Sequence, residues 1–284
     1  MAETVTNVQM ANRSRLLSMT VPREHGAWGM LLVPLAIGSA VGLRSAENFP
    51  GLLALALVAV TLFWLRTPLE ALLGTTPIKA RTAGERRHVV IIIAGLSGLA
   101  LICLIAIFWH GRNMALIPIG MVAAVAFGLQ AIVKRVGRRG RMPAQMIGAV
   151  GLTSTAAAAY SVASGGWGIL ALALWTINFA FAAGQIHYVQ VRIHSSRVRS
   201  RSELLGIGDF FLFGEALLCA SVAGAWFFGA LPGLAALAFV PMAIRGFLLF
   251  ARRPGPLNVH RLGWTELTNA VIFGALLCAA YWNH

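Results

Sequence analysis

A chain of 284 residues that is 58% hydrophobic and only 11% charged, with a mean hydropathy of +0.77, has too little polar surface to cover a water-facing globule. Its 23 Lys+Arg against 9 Asp+Glu give a formal net charge of +14. The basic residues fall between long apolar runs, with no zinc finger, RNA-binding signature or basic helix interleaved with aromatics. Nucleic acid is thereby excluded as the partner, and a bilayer is the solvent the chain is built for.

Along the chain, residues 1–26 read as a polar cytoplasmic segment, too long for a secretory leader and without an obvious cleavage site, and 27–284 as one transmembrane domain. A crossing helix needs about 17 to 25 mainly apolar residues. That rule predicts nine spans: Ala27–Leu43, Gly51–Leu73, Val89–Trp109, Met114–Val133, Ala144–Ala163, Trp167–Val191, Ile207–Phe228, Leu231–Phe250 and Gly263–Tyr281. Gly229, Pro232 and Gly233 predict a tight turn between the seventh and eighth. Cys103, Cys219 and Cys278 each stand alone in an apolar stretch and read as small buried hydrophobes, with neither disulfide nor metal-site spacing.

The basic residues give an independent reading of topology. Arg13, Arg15 and Arg23; Lys79, Arg81, Arg86 and Arg87; Lys134, Arg135, Arg138, Arg139 and Arg141; Arg192, Arg197, Arg199 and Arg201; and Arg252, Arg253 and Arg261 all fall in alternate loops, 19 of the 23. The other loops hold only Arg44 and Arg112, while Arg66 and Arg245 lie inside spans. The positive-inside rule then predicts an N-terminus in the cytoplasm and a C-terminus outside. Attraction to anionic headgroups is the simplest use of such loops, each Lys or Arg contributing about 1 kcal/mol near the surface.

Ionisable groups inside spans point most directly to function, because each costs about 2.5 to 3.5 kcal/mol at mid-bilayer. Arg66 and Glu70 sit four apart at the end of the second span, on one helical face with Pro68 between them, and are expected to pair. In the sixth span, Asn178, Gln185, Tyr188 and Arg192 fall on one side as a polar stripe that should not face lipid. Arg23, Glu24 and His25 open the first span, followed by Trp28 as an interfacial anchor, and Glu266 lies about a turn inside the last. Asp209 and Glu215 are placed similarly in the seventh. Arg23, Glu24, His25, Arg66, Glu70, Gln185, Tyr188, Arg192 and Glu266 are therefore the candidate binding residues. They are expected to line a polar cavity open to the cytoplasm, between the ends of spans two and six. A knit of interhelical hydrogen bonds is the alternative.

The block Arg23-Glu24-His25-Gly26-Ala27-Trp28-Gly29-Met30-Leu31-Leu32-Val33-Pro34, with Tyr188-Val189 and Arg192 further on, resembles the YwiC-like family. That resemblance implies a multi-spanning bacterial membrane protein and no particular activity. The nine predicted spans and the polar ends on the second and sixth are similar, more distantly, to the UbiA superfamily of intramembrane prenyltransferases. This likeness implies an all-α bundle around a cytoplasm-facing cavity, with Asp-rich motifs holding magnesium against a polyprenyl diphosphate. Here Ile186–His194 stands at the second motif's place without acids, and the first place offers only Glu70. No DxxD or DxxxD pair exists to hold magnesium, so the cofactor is left open. Arg66 and Arg192 would instead hold an anionic head directly, by charge-assisted hydrogen bonds.

Three functions compete on this reading: membrane lipids as partners, with an anionic lipid or isoprenoid bound or processed; transport of a small organic anion; or a non-catalytic scaffold packed through Gly95, Gly98, Gly148 and Gly151.

Overall fold

A computed structural model describes residues 14–22, 25–44, 48–75, 78–111, 113–196, 198, 200–251 and 257–282, the side chains of His25, His110, Arg138 and Arg139 excepted. All regular structure among them is helical. A short α1 at 14–20 precedes α2 (His25–Gly42), α3 (Phe49–Leu73), α4 (Ala83–Gly111) and α5 (Leu116–Lys134). After a 3-10 turn at Gly137–Gly140 come α6 (Arg141–Thr153), α7 (Thr155–Ser164), α8 (Ile169–Ser195), α9 (Arg201–Phe227), α10 (Gly233–Leu237), α11 (Val240–Ala251) and α12 (Val259–Trp282).

Eight stretches are long and apolar enough to cross a membrane: α3, α4, α5, α6 with α7, α8, α9, α10 with α11, and α12. The first expected span is also a helix, but its apolar stretch, Gly26–Gly42, is short for a crossing. The chain is a multi-pass helical membrane protein with eight such candidates and this shorter ninth helix among its described residues.

Local chemistry fixes the helix ends. Asn48 caps α3 by accepting from the Gly51 amide at 3.1 Å, and Gly74, at φ 71°, closes it in the left-handed conformation. Thr82 and Glu85 form a capping box at the start of α4. The Glu85 amide donates to Thr82 Oγ1 at 3.1 Å, while the Glu85 carboxylate accepts from the Thr82 and Arg81 amides. The predicted turn after α9 contains Gly229 at φ 71°.

Two predicted spans are interrupted. The fifth breaks at Ser154, where Thr153, Ser154 and Thr155 all turn their hydroxyls onto carbonyls of the preceding turn, at 2.7 Å to Ala149, Gly151 and Leu152. Three hydroxyls competing in succession for the backbone supply a physical reason for the break. The eighth breaks at 238–239. That turn sends Phe239 into the core against Phe273 (ring centroids 5.3 Å) and Phe181 (6.4 Å), which stack on each other at 3.9 Å.

α2 packs against α7 and α12. Gly38 and Gly42 make the first contact close: a Cβ on Gly38 would collide with the Ala156 carbonyl, and one on Gly42 would stand 2.9 Å from that of Tyr160. Ala156, Ala157, Ala159 and Ala163 of α7 are completely buried, so the small-residue seam runs through these two helices. Gly148 and Gly151 of α6 face α5. Gly95 and Gly98 of α4 have nothing within 4 Å. α4 and α9 are the least covered spans, with Ile91, Ile102, Phe210 and Phe213 more than half exposed. Such faces are stable in hydrocarbon and not in water.

Candidate functional site

The two ends of the bundle are chemically different. At one, polar side chains serve backbone groups: Asn48 Nδ2 donates to the Val162 carbonyl at 3.1 Å, Asn113 to that of Ser161 at 2.5 Å, and Arg44 to that of Tyr281. At the other lie the ends of α3 and α5, the start of α4, and α1. α1 is held there by Met19, buried with Ala71, Ala80 and Val89, and by Trp64 Nε1 donating to the Thr20 carbonyl at 2.6 Å. Arg15 Nε also reaches Glu85 Oε1 at 2.7 Å. The segment read as a polar cytoplasmic stretch therefore docks in part onto the bundle. Its signal in the sequence is a short run with Leu16, Leu17, Met19 and Val21, of which only Met19 is fully buried, too little to predict a seat.

Two groups of ionisable side chains emerge. In the first, Arg66 and Glu70 pair as their spacing predicts, Nε to Oε1 at 3.0 Å, and Lys134 at the last position of α5 brings its Nζ to the same oxygen at 2.7 Å. Glu70 is 4% exposed, and the side chains of Arg66 and Lys134 are mostly covered. Two cations thus share one carboxylate oxygen. Pro68 lies between the pair, fully buried, without ending the helix.

The second group joins α8, α9, α11 and α12. Arg245 of α11 pairs through Nη1 with Glu266 Oε1, and its guanidinium carbon lies 3.9 Å from the centre of the Tyr188 ring. Gln185 Nε2 donates to the Glu266 carbonyl at 3.0 Å. Glu215 of α9 faces the same neighbourhood, with Arg245 as its charged neighbour and Gly246 against its carboxyl group. This group is not saturated. Arg245 Nε and Nη2, Glu266 Oε2 and Glu215 Oε1 are buried without a hydrogen-bond partner among the described residues. Unmet buried polar atoms of this kind are uncommon and costly.

The nine expected residues thus divide. Arg66 and Glu70 belong to the first group; Gln185, Tyr188 and Glu266 belong to the second. Arg192 is half-buried one turn beyond Tyr188 on α8. Arg23, Glu24 and the His25 side chain lie outside the described residues. Asn178, the deepest member of the stripe, turns its amide onto the Leu174 carbonyl of its own helix at 2.8 Å. Trp28, expected as an interfacial anchor, packs edge-on against Phe63 with centroids 4.7 Å apart.

Sequence reasoning passed over Lys134 and Arg245 as site members. Lys134 carried no local signal, its partner being 64 positions away. Arg245 did: an arginine inside a predicted span calls for a buried acid.

A cavity of about 350 Å³ lies between α9, α10 and α11. Its walls are almost wholly apolar, with Glu215 at one end and Trp226 towards the other, and none of the nine expected residues lines it. Among the described residues, no three His, Cys, Asp or Glu side chains gather as a metal site.

An all-helical chain with this many apolar crossings and ionisable groups paired between helices is a polytopic membrane protein. Residues 21–160, from before α2 into α7, match the family model described as YwiC-like protein. No curated protein matches the chain. The matched stretch contains Arg66, Glu70 and Lys134 and ends before α8, leaving the second group outside it.

Proposed function

We propose that the protein handles an anionic lipid or an isoprenoid phosphate, taking its head at the end of the bundle formed by α3, α4 and α5. In this reading the chain sits in a bacterial inner membrane with nine crossings, α2 included, and its N-terminus and basic loops face the cytoplasm. The observation that carries the reading is the gathering of Lys134 onto the Arg66–Glu70 pair, beside a fringe of exposed basic residues at this end of the bundle. Exposed Lys79, Arg81, Arg86, Arg135 and Arg141 make up that fringe. A phosphate oxygen is the natural complement of such a cluster, through charge-assisted hydrogen bonds. Arg192, and Arg23, Glu24 and His25 by sequence position, belong to the same cytoplasmic end in this reading. Isoprenoid phosphates enter through the likeness in span order to intramembrane prenyltransferases. Turnover is not part of the proposal.

The test is lipid extraction from the full chain purified in mild detergent. Phosphatidylglycerol or a polyprenyl phosphate is expected to be enriched over bulk membrane. Lys134→Ala should lower that enrichment about fivefold, the equivalent of roughly 1 kcal/mol for one surface cation. A lipid profile equal to bulk membrane, unchanged in the variant, overturns the reading.

A second reading, transport of a small organic anion, is favoured by one observation. Two spans carry a local interruption, α6–α7 at Ser154 and α10–α11 at 238–239, and discontinuous spans are a feature of transporters. Uptake into proteoliposomes tests it; no flux above empty vesicles for carboxylates and phosphates would reject it.

A further inference from the structure

The cavity between α9, α10 and α11 is independent of the proposed headgroup site and of its outcome. Its α9 wall is formed by Glu215, Cys219, Val222 and Trp226, at helical spacings that put them on one face. From Glu215 to Trp226 that face runs about 16 Å at roughly 1.5 Å per residue. The opposite wall is apolar, with Phe239 and Ala243 upon it. The volume of about 350 Å³ is in the range of small-molecule sites, equal to roughly a dozen water-sized volumes. A face about 16 Å long along a volume of about 350 Å³ suits one slender chain.

The inner end says what that chain carries. Glu215 is 97% buried, being 3% exposed, and its Oε1 is without a hydrogen-bond partner. Nearby, Nε and Nη2 of Arg245 are also buried without a hydrogen-bond partner among the described residues. An ammonium head would satisfy the carboxylate but meet the arginine's charge. A phosphate would satisfy the arginine but meet the carboxylate's. A hydroxyl donates and accepts, so it pairs with a carboxyl group in either protonation state and is repelled by neither neighbour.

We propose that the slot between α9 and α11 binds a neutral single-chain amphiphile with a terminal hydroxyl, a long-chain or isoprenoid alcohol, its hydroxyl on Glu215 and its tail along α9 towards Trp226. The alcohol enters from the bilayer, since α9 is the least covered of the spans.

The test uses the full chain in neutral detergent and radiolabelled farnesol as the probe, with the matching hydrocarbon lacking the hydroxyl and farnesyl phosphate as competitors. Saturable farnesol binding is expected, displaced at least tenfold less well by either competitor. Ala243→Phe, which fills the slot, should abolish binding. Glu215→Leu should weaken it at least tenfold while leaving any binding of the hydrocarbon unchanged. Lys134→Ala, in the other group, should leave it intact. Monodisperse elution and unaltered helical content of each variant show that it is folded. Farnesol bound no better than the hydrocarbon or the phosphate overturns the proposal, as does binding that survives both Ala243→Phe and Glu215→Leu in folded protein.

Discussion

The two ionisable groups are made of the same parts, arginine and glutamate on apolar helices, and are finished differently. At Glu70 one carboxylate is shared by Arg66 and Lys134, and the group is tied between α3 and α5. At Glu266 one arginine pairs with one acid, a second acid stands beside them, and four buried polar atoms have no hydrogen-bond partner among the described residues. A membrane helix tolerates a charge that is neutralised and hydrogen-bonded, and keeps an incomplete one only at a cost. The first arrangement is stabilising architecture. The second spends stability on groups its own side chains do not satisfy, as a binding site does.

Removal of one acid from each group separates them most sharply. Glu70→Leu strips the carboxylate from two covered cations and should destabilise the protein by about 3–5 kcal/mol, the usual result of breaking a buried pair on one side. A large drop in the midpoint of thermal unfolding in detergent, or loss of the protein from the membrane fraction, is the expected observation. Glu215→Leu should do the opposite. It replaces an unpartnered buried carboxyl with an apolar group of similar size and is expected to raise stability by about 1–3 kcal/mol. Two Glu→Leu changes shifting the midpoint in the same direction would break the distinction between the groups.

A smaller effect is expected at Lys134. Lys134→Met keeps the apolar stem and the Arg66–Glu70 pair and removes only the second cation, so the cost should be about 1 kcal/mol or less. Its chief consequence falls on anionic lipid carried through purification. High salt should reproduce that loss in part, because exposed charges are screened and covered ones much less so.

These contrasts also explain what could be read from the sequence. Arg66 and Glu70 were legible because a helix puts positions four apart on one face, and the fold repeats what the local pattern states. The helical class and most spans were legible for the same reason: long apolar runs have one solution in hydrocarbon. Partners across helices were not legible. Lys134 reaches Glu70 over 64 positions and Arg245 reaches Glu266 over 21, and nothing in one chain says which buried cation goes with which acid. The break at Ser154 had a local cause in three consecutive hydroxyl residues. For the one at 238–239 the sequence carries no comparable mark, and the aromatic packing that accompanies it is tertiary.

The finest test of the second group concerns Tyr188. The ring lies under the Arg245 guanidinium at 3.9 Å, so the attraction belongs to the π face and not to the hydroxyl. Tyr188→Phe preserves that face and should change stability by less than about 0.5 kcal/mol. Tyr188→Leu loses it, leaves a guanidinium that already has two unpaired N–H groups with less to rest on, and should cost about 1–2 kcal/mol. Equal losses in the two variants would shift the role to the tyrosine hydroxyl, and no loss in either would mean that Glu266 alone holds Arg245. The ordering Leu worse than Phe, measured as thermal midpoints in the same detergent, is what a charge supported on an aromatic ring between α8 and α11 requires.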